Sequence, residues 1–173
     1  MKRTMFLAGL TVLAISATTL AQNLPGSSLR NYNRDAPIDF EAARIEVRDA
    51  DNQAIISGNV QVKQGNLDLD ADTIRVFYQS RGGGVKVDRL DAEGGVRVVT
   101  PAETARSSSA IYDVPASQIT MIGNVVLERG TDELRGERLV INLASGRSTF
   151  DAAVNAATGE RGRVTGRFTP TEN

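Results

Sequence analysis

The chain has 173 residues, with 20 basic and 21 acidic side chains and a formal net charge of −1. This balance argues against a generally basic surface for nucleic acid, and the length suits one ordinary domain. Cysteine and histidine are both absent. No disulfide therefore supports the fold, and the commonest general base and metal ligand are missing.

The N-terminus has the pattern of a secretory signal peptide. Residues 2–3 are basic, residues 5–17 are almost all apolar or small, and residues 19–21 fit a small-residue cleavage site. We predict that residues 1–21 are removed, which leaves 18 basic residues against 21 acidic ones. An uncleaved anchor helix is the alternative, but the apolar run is shorter than the ~20 residues that span a bilayer. The polar residues 22–36 are interpreted as a flexible leader.

Apolar and polar residues alternate along most of the remaining chain. This is the pattern of strands with one apolar face and one solvated face. In one such run, Leu67, Leu69 and Ala71 alternate with Asp68 and Asp70. No window has a helical stripe of useful length, so the sequence predicts an all-β domain. Turn signals separate the runs at residues 65–66, 81–84, 130–132 and 145–146.

A short motif recurs along the domain and indicates that one structural unit is repeated. Gly-Asn-Val occurs at residues 58–60 and 123–125, and the near copy Gly-Gly-Val lies at residues 94–96. We predict that each copy opens a short strand, and that the units stack because one alone cannot bury its apolar face. A position expected in the core follows each leading glycine after 16, 17 and 16 residues, at Ile74, Ile111 and Leu139.

The phase of the alternation slips by one residue at several points, within residues 71–74, 87–90 and 134–139. A slip keeps the apolar groups on one side only if the strand kinks or bulges there. The recurring slips predict that each long strand turns a corner between two sheet faces. The expected fold is an all-β, folded-over β-jelly-roll of repeated strand units, with one apolar trough between its faces.

The polar motifs give no catalytic or metal-binding pattern. The carboxylates of residues 68–72 resemble a calcium loop only superficially, because Thr73 stands where that loop needs glycine. Residues 82–84 lack the helix and the Lys-Ser/Thr pair of a phosphate loop. No histidine is present to activate the serines of residues 107–109. We therefore expect no enzymatic activity, no metal and no cofactor.

Several segments, taken in order, resemble the strands of one known family. They include Asp-Ala-Asp at residues 70–72 and Ile-Gly-Asn-Val at residues 122–125. The family is the OstA-like, or lipopolysaccharide-transport periplasmic protein A, group. The resemblance covers about residues 37–150, and residues 41–43 and 106–109 depart from the family pattern. The resembling segments are residues 37–47, 56–65, 67–78, 122–127 and 134–147.

The resemblance implies a V-shaped β-jelly-roll at residues 37–168, followed by a tail at residues 169–173. It implies a periplasmic carrier of lipopolysaccharide, exported through the cleaved signal peptide, that shelters acyl chains in a bridge from inner to outer membrane. The implied partners are lipopolysaccharide, membrane transport proteins with related β domains, and further copies of the chain, but no nucleic acid. The alternative is an envelope structural or assembly protein that polymerises edge to edge without lipid cargo.

Apolar residues expected to face the trough are the candidate lipid-binding positions, since burial of each methylene is worth ~0.8 kcal/mol. For any one of them alone, filling the core is the alternative role. The candidates are Ile45, Val47, Ile56, Val60, Val62, Leu67, Leu69, Ile74, Val76, Val96, Met121, Val125, Leu127, Leu139 and Ile141.

A sheet that does not close leaves an edge at each end, which we place near residues 38–47 and 150–168. Neither stretch has a proline in its middle that would block strand pairing. We therefore predict head-to-tail association of copies. A set of arginines is interpreted as solvated surface residues, with contact to lipid phosphates near an opening as the alternative. These are Arg135, Arg138, Arg161, Arg163 and Arg167.

Overall fold

The structure is a computed structural model that describes residues 36–82 and 84–170, apart from the side chain of Arg81. The predicted signal peptide, its cleavage site, residues 22–35 of the leader and the end of the tail lie outside the described residues. A short 3-10 turn, Asp49–Asp51, follows the second strand. The strands are β1 (Ile38–Glu41), β2 (Arg44–Arg48), β3 (Gln53–Gln64), β4 (Leu67–Arg81), β5 (Gly84–Val99), β6 (Thr104–Asp113), β7 (Gln118–Arg129), β8 (Asp132–Asn142), β9 (Arg147–Asp151) and β10 (Thr165–Arg167).

All of these strands belong to one antiparallel sheet, in the order β1-β3-β4-β5-β6-β7-β8-β10. Both ends of the sheet are divided. β1 and β2 share the free side of β3, while β9 and β10 share the free side of β8. We call β1 with β2 the first edge, and β9 with β10 the last edge. The all-β prediction is confirmed. The first edge lies close to the expected residues 38–47, and β10 lies within the expected residues 150–168, whereas β9 begins three residues earlier, at Arg147.

The repeated glycine motif forms a two-residue β-bulge. At Gly94-Gly95 in β5 and Gly123-Asn124 in β7 the register with both neighbouring strands shifts. At Gly58-Asn59 in β3 the register with β4 shifts. In the last copy Gly123 has φ +86° and Asn124 φ +49°, the left-handed region that glycine and asparagine adopt most easily. The prediction that each copy opens a strand is wrong. The motif lies inside a long strand, because a bulge bends a strand without ending its pairing.

The bulges divide the sheet into two walls that face each other. Each bulge lies opposite a single residue of the neighbouring strand, such as Asp72 or Glu137, so every long strand bends at the same level. The corners agree with the phase slips seen at residues 71–74 and 134–139, whereas the slip at 87–90 is a separate bulge at Asp88. The long wall contains residues 44–57, 73–93, 109–122 and 138–151. The short wall contains residues 38–41, 60–71, 96–107, 125–136 and 165–167.

The core lies between the walls and corrects one sequence expectation. Ile111 was expected in the core, but it is half-buried on the outer face. Its cross-strand partners there are Asp91 in β5 and Thr120 in β7. Ala110 faces inward instead and is 4% exposed. The error arose because residues 104–110 are small or polar and hide the phase of β6. Since Ala110 lies 16 residues after Gly94, the spacing is the same in all three repeats.

Candidate functional site

Cross-strand pairing builds the trough from rows of inward-facing side chains. The register places one residue of every strand of the long wall in a single row, from the first edge to the last. This row joins large aliphatic residues, two alanines and one aromatic residue, so no polar group interrupts it. Its members are Ile45, Ile56, Ile74, Ala92, Ala110, Met121, Leu139 and Phe150.

The trough is sealed in its middle and open at the first edge. Met121, Val125 and Leu139 are 0% exposed, because the two walls pack directly against each other there. At the first edge, by contrast, Phe40 is 48% exposed and Val47 is 57% exposed. Exposed apolar patches of this kind mark sites of interaction, since leaving them in water is unfavourable. The first edge therefore makes part of the interior accessible.

An apolar groove runs inward from the first edge and has a volume of about 460 Å³. A second gap continues it between the walls, where Ala92 and Ala110 leave more room than their neighbours. The polar groups in the groove lining are few. The groove is lined by Ile38, Phe40, Ile45, Val47, Asp49, Ala54, Ile56, Val62, Ile74, Val76, Tyr78, Ser80, Val85, Val87 and Leu90.

The hairpin between β4 and β5 lengthens one side of the groove. Residues 78–81 pair with residues 84–87 beyond the ends of β3 and β6, and Val85 near the tip is 67% exposed. At its base the Tyr78 hydroxyl donates a hydrogen bond to Asp49 Oδ1 at 3.0 Å. Desolvation and this hydrogen bond raise the pKa of Tyr78, so the phenol stays neutral at the groove rim.

The candidate lipid-binding residues all lie on the inner face, but in two different environments. Those that line the groove or the second gap are Ile45, Val47, Ile56, Val62, Leu67, Leu69, Ile74 and Val76. The others are packed in the sealed part of the core. They are Val60, Val96, Met121, Val125, Leu127, Leu139 and Ile141. Contact of either group with lipid stays a prediction.

The sequence reasoning missed several groove residues. Ile38 and Phe40 alternate with Asp39 and Glu41 in β1, so period two alone identifies their inward face. Tyr112 has no comparable signal, because the polar residues before it in β6 obscure its phase. The remaining lining residues missed are Asp49, Ala54, Gln64, Tyr78, Ser80, Val85, Val87, Leu90, Ala92, Ala110 and Ile119.

The outer faces of both walls carry the charged side chains. Arg97 Nη1 lies 3.0 Å from Asp70 Oδ2, so one member of the supposed calcium motif is an ion-pair partner. Arg135 pairs with Glu133 through two hydrogen bonds and lowers the pKa of that carboxyl group. Both members of each pair are solvated, so each contributes little stability. Within the described residues, no group of three or more acidic side chains is arranged to hold a metal ion.

Comparisons with known proteins identify the family. A family model described as LptA/(LptD N-terminal domain) LPS transport protein matches residues 39–147. The chain belongs to this family. An uncharacterized protein of Rhizobium meliloti (strain 1021) is 32% identical over 155 residues, which are 84% of this chain and 82% of that protein.

A solved structure shares the fold of this member of the LptA/LptD N-terminal domain family. The crystal structure of LptH from Pseudomonas aeruginosa matches with a TM-score of 0.68 and 19% identity, covering 80% of this chain and 99% of LptH. LptH is described as the LptA-homologous periplasmic component of the lipopolysaccharide transport device. The family resemblance and the folded-over β-jelly-roll are thereby confirmed. Across the described residues, no helix is long and apolar enough to cross a membrane.

Proposed function

We propose that the protein is a periplasmic carrier that shelters the acyl chains of lipopolysaccharide in its trough. The observation that carries this proposal is the apolar groove that the fold leaves open at the first edge. Family membership supports lipopolysaccharide as the cargo. Burial of ten acyl methylenes would contribute about 8 kcal/mol at ~0.8 kcal/mol each, so a lining of aliphatic side chains is sufficient for binding.

The proposed carrier extends its trough by stacking edge to edge. β1 and β2 run antiparallel to β3, and β9 and β10 run antiparallel to β8. Because β3 to β8 alternate in direction, the last edge of one copy is antiparallel to the first edge of a copy translated along the sheet. Unpaired strand edges recruit such partners, and both walls then continue without a break.

Continuing the cross-strand rows gives the register of this contact. On the inner face, Phe150 ends the row that Ile45 begins, so these two side chains meet between copies. On the outer face of the short wall, Arg167 ends the row that Asp39 begins, which places opposite charges side by side. Asp39 belongs to the copy that presents its first edge. This heterologous contact does not close, so it yields rods rather than a fixed dimer.

Photo-crosslinking tests the cargo. Val76 lines the groove, whereas the adjacent Arg75 faces outward in the same strand. A photoreactive residue at position 76 should capture lipopolysaccharide, and one at position 75 should not. Equal labelling at both positions would reject the carrier proposal. Assembly without any captured lipid would favour the alternative, an envelope structural protein, to which the sealed middle of the core is also suited.

The proposed location has a separate test. The basic start, the short apolar run and the small residues at 19–21 support export and cleavage before Gln22. N-terminal sequencing of the protein from a periplasmic fraction should begin at Gln22. Recovery of intact Met1 in the membrane pellet would contradict cleavage.

A further inference from the structure

The connection between β9 and β10 is an ordered hairpin at the corner of the last edge. Gly162 N donates to Ala153 O at 2.8 Å, and Asn155 N donates to Glu160 O at 2.8 Å. Val154 and Arg161 form an isolated antiparallel bridge between these two bonds. We call residues 153–162 the corner hairpin. Its side chains are all exposed, so the backbone bonds hold it in shape while its surface stays free.

Two arginines at this corner lack a carboxylate partner. Arg161 and Arg163 have no ion pair within the described part of the chain, although most other arginines there do. Arg167, by contrast, lies across from Glu133 in β8 and helps to lower the pKa of that carboxyl group. The nearby Glu160 lies 3.4 Å from the Thr158 hydroxyl rather than beside a guanidinium. Residues 152–168 carry three basic residues and one acidic residue, a charge of +2, in a chain whose net charge is −1.

An exposed apolar side chain lies beside these arginines. Val154 is 58% exposed and pairs across the corner hairpin with Arg161, so the two side chains share a face. Val164 and Phe168 are also exposed, but they lie on the inner face of the last edge, next to Gly136 and Leu134. Guanidinium groups bind phosphate oxygens in a bidentate geometry, and an apolar side chain next to them favours the boundary between lipid headgroups and acyl chains. A partner rich in carboxylates would match the charges but would leave Val154 in water.

We infer that the corner hairpin, together with the adjacent Arg163, forms a docking surface for a bilayer with anionic phospholipid headgroups. The inference goes beyond the proposed carrier function, because it needs neither the groove nor the cargo. In the edge register proposed above, Arg167 lies beside Asp39 of the next copy. The same register gives Arg161 and Arg163 no partner in that copy. Each basic residue at an anionic surface strengthens binding about fivefold, so these two together give about 25-fold.

Vesicle cosedimentation of the purified full-length protein tests the surface. Binding is expected to vesicles of equal phosphatidylglycerol and phosphatidylcholine, but not to phosphatidylcholine alone, and to vanish in 0.5 M salt. The double variant Arg161→Gln/Arg163→Gln should bind about 25-fold more weakly. The matched control is Arg97→Gln/Arg106→Gln, which removes the same charge from the middle of the short wall, and it should bind like the wild type.

A fluorescence readout separates docking from a general charge effect. The chain has no tryptophan, so Val154→Trp places a single reporter in the corner hairpin. Its emission should shift to the blue with anionic vesicles, while Ala116→Trp, in the exposed turn between β6 and β7, should not shift. Equal loss of binding in both arginine double variants, or equal shifts at both tryptophans, would overturn the inference.

Failure of docking is distinguishable from failure of the carrier function. If the protein binds lipopolysaccharide micelles through Arg161 and Arg163 but ignores anionic phospholipid vesicles, the arginines serve the cargo and the docking surface is refuted. Crosslinking of lipopolysaccharide at Val76 reports the carrier function independently. It should be unchanged in the Arg161→Gln/Arg163→Gln variant.

Discussion

Replacement of a bulge glycine should destabilise the fold through two separable effects. In Gly123→Ala, the new Cβ would lie 2.7 Å from Ser108 Oγ and 2.9 Å from Ser108 Cβ. The backbone at Gly123 has φ +86°, which costs an L-residue about 1–2 kcal/mol. The steric overlap adds about 1–3 kcal/mol. We expect the free energy of unfolding to fall by about 2–5 kcal/mol, a large part of the usual 5–15 kcal/mol.

Gly130 is the matched control for the backbone effect. It also has a positive φ, +57°, but a Cβ there would meet nothing within 4 Å. Gly130→Ala should therefore cost only about 1–2 kcal/mol. In urea unfolding, where slopes for small proteins are about 1–3 kcal/mol/M, Gly123→Ala should have a midpoint about 1 M below that of Gly130→Ala.

A double variant isolates the steric effect. Ser108→Gly removes both atoms that the new Cβ would meet, so Gly123→Ala/Ser108→Gly should recover about 1–3 kcal/mol relative to the sum of the single changes. Equal midpoints for Gly123→Ala and Gly130→Ala, with no coupling to Ser108, would refute the claim that close packing at the bulge fixes the corner.

Three further outcomes follow from the site and the surface. Ala110→Phe should fill the gap between the walls and reduce lipopolysaccharide crosslinking in the groove, at a cost of about 1–3 kcal/mol in urea unfolding. Arg167→Asp should weaken self-association about tenfold by light scattering, and adding Asp39→Arg should restore it; no rescue would contradict the register. Arg48 and Arg44 lower the pKa of Glu46 below its usual value of 4.5. The ionised carboxylate of Glu46 therefore stabilises the fold fully above pH 4.5, and this stabilisation is lost as the pH falls through the lowered pKa. The midpoint difference between wild type and Glu46→Gln should therefore shrink at acid pH.

The strands were predictable because their signal is local. Alternation identifies the inner face in β3, β7 and β8, since neighbouring side chains of a strand point to opposite sides. It failed at Ile111, because small and polar residues make both faces of β6 look alike. The repeat was also visible, but a glycine followed by asparagine indicates a turn as readily as a bulge. Whether pairing continued past Gly58 or Gly123 depended on the register with the neighbouring strands, which the residues of one strand do not show.

Three properties could be derived from the residues alone: the chain is all-β, its strands recur in equivalent units, and one side of most strands is apolar. These properties follow from residue type and spacing along one strand. Which inward residues are sealed and which are accessible depends instead on how the strands pack in three dimensions. Met121 and Val47 have the same inward alternation, yet they are 0% and 57% exposed. The difference arises because Met121 has a strand on each side and a facing wall, whereas Val47 lies on an edge strand with one paired neighbour.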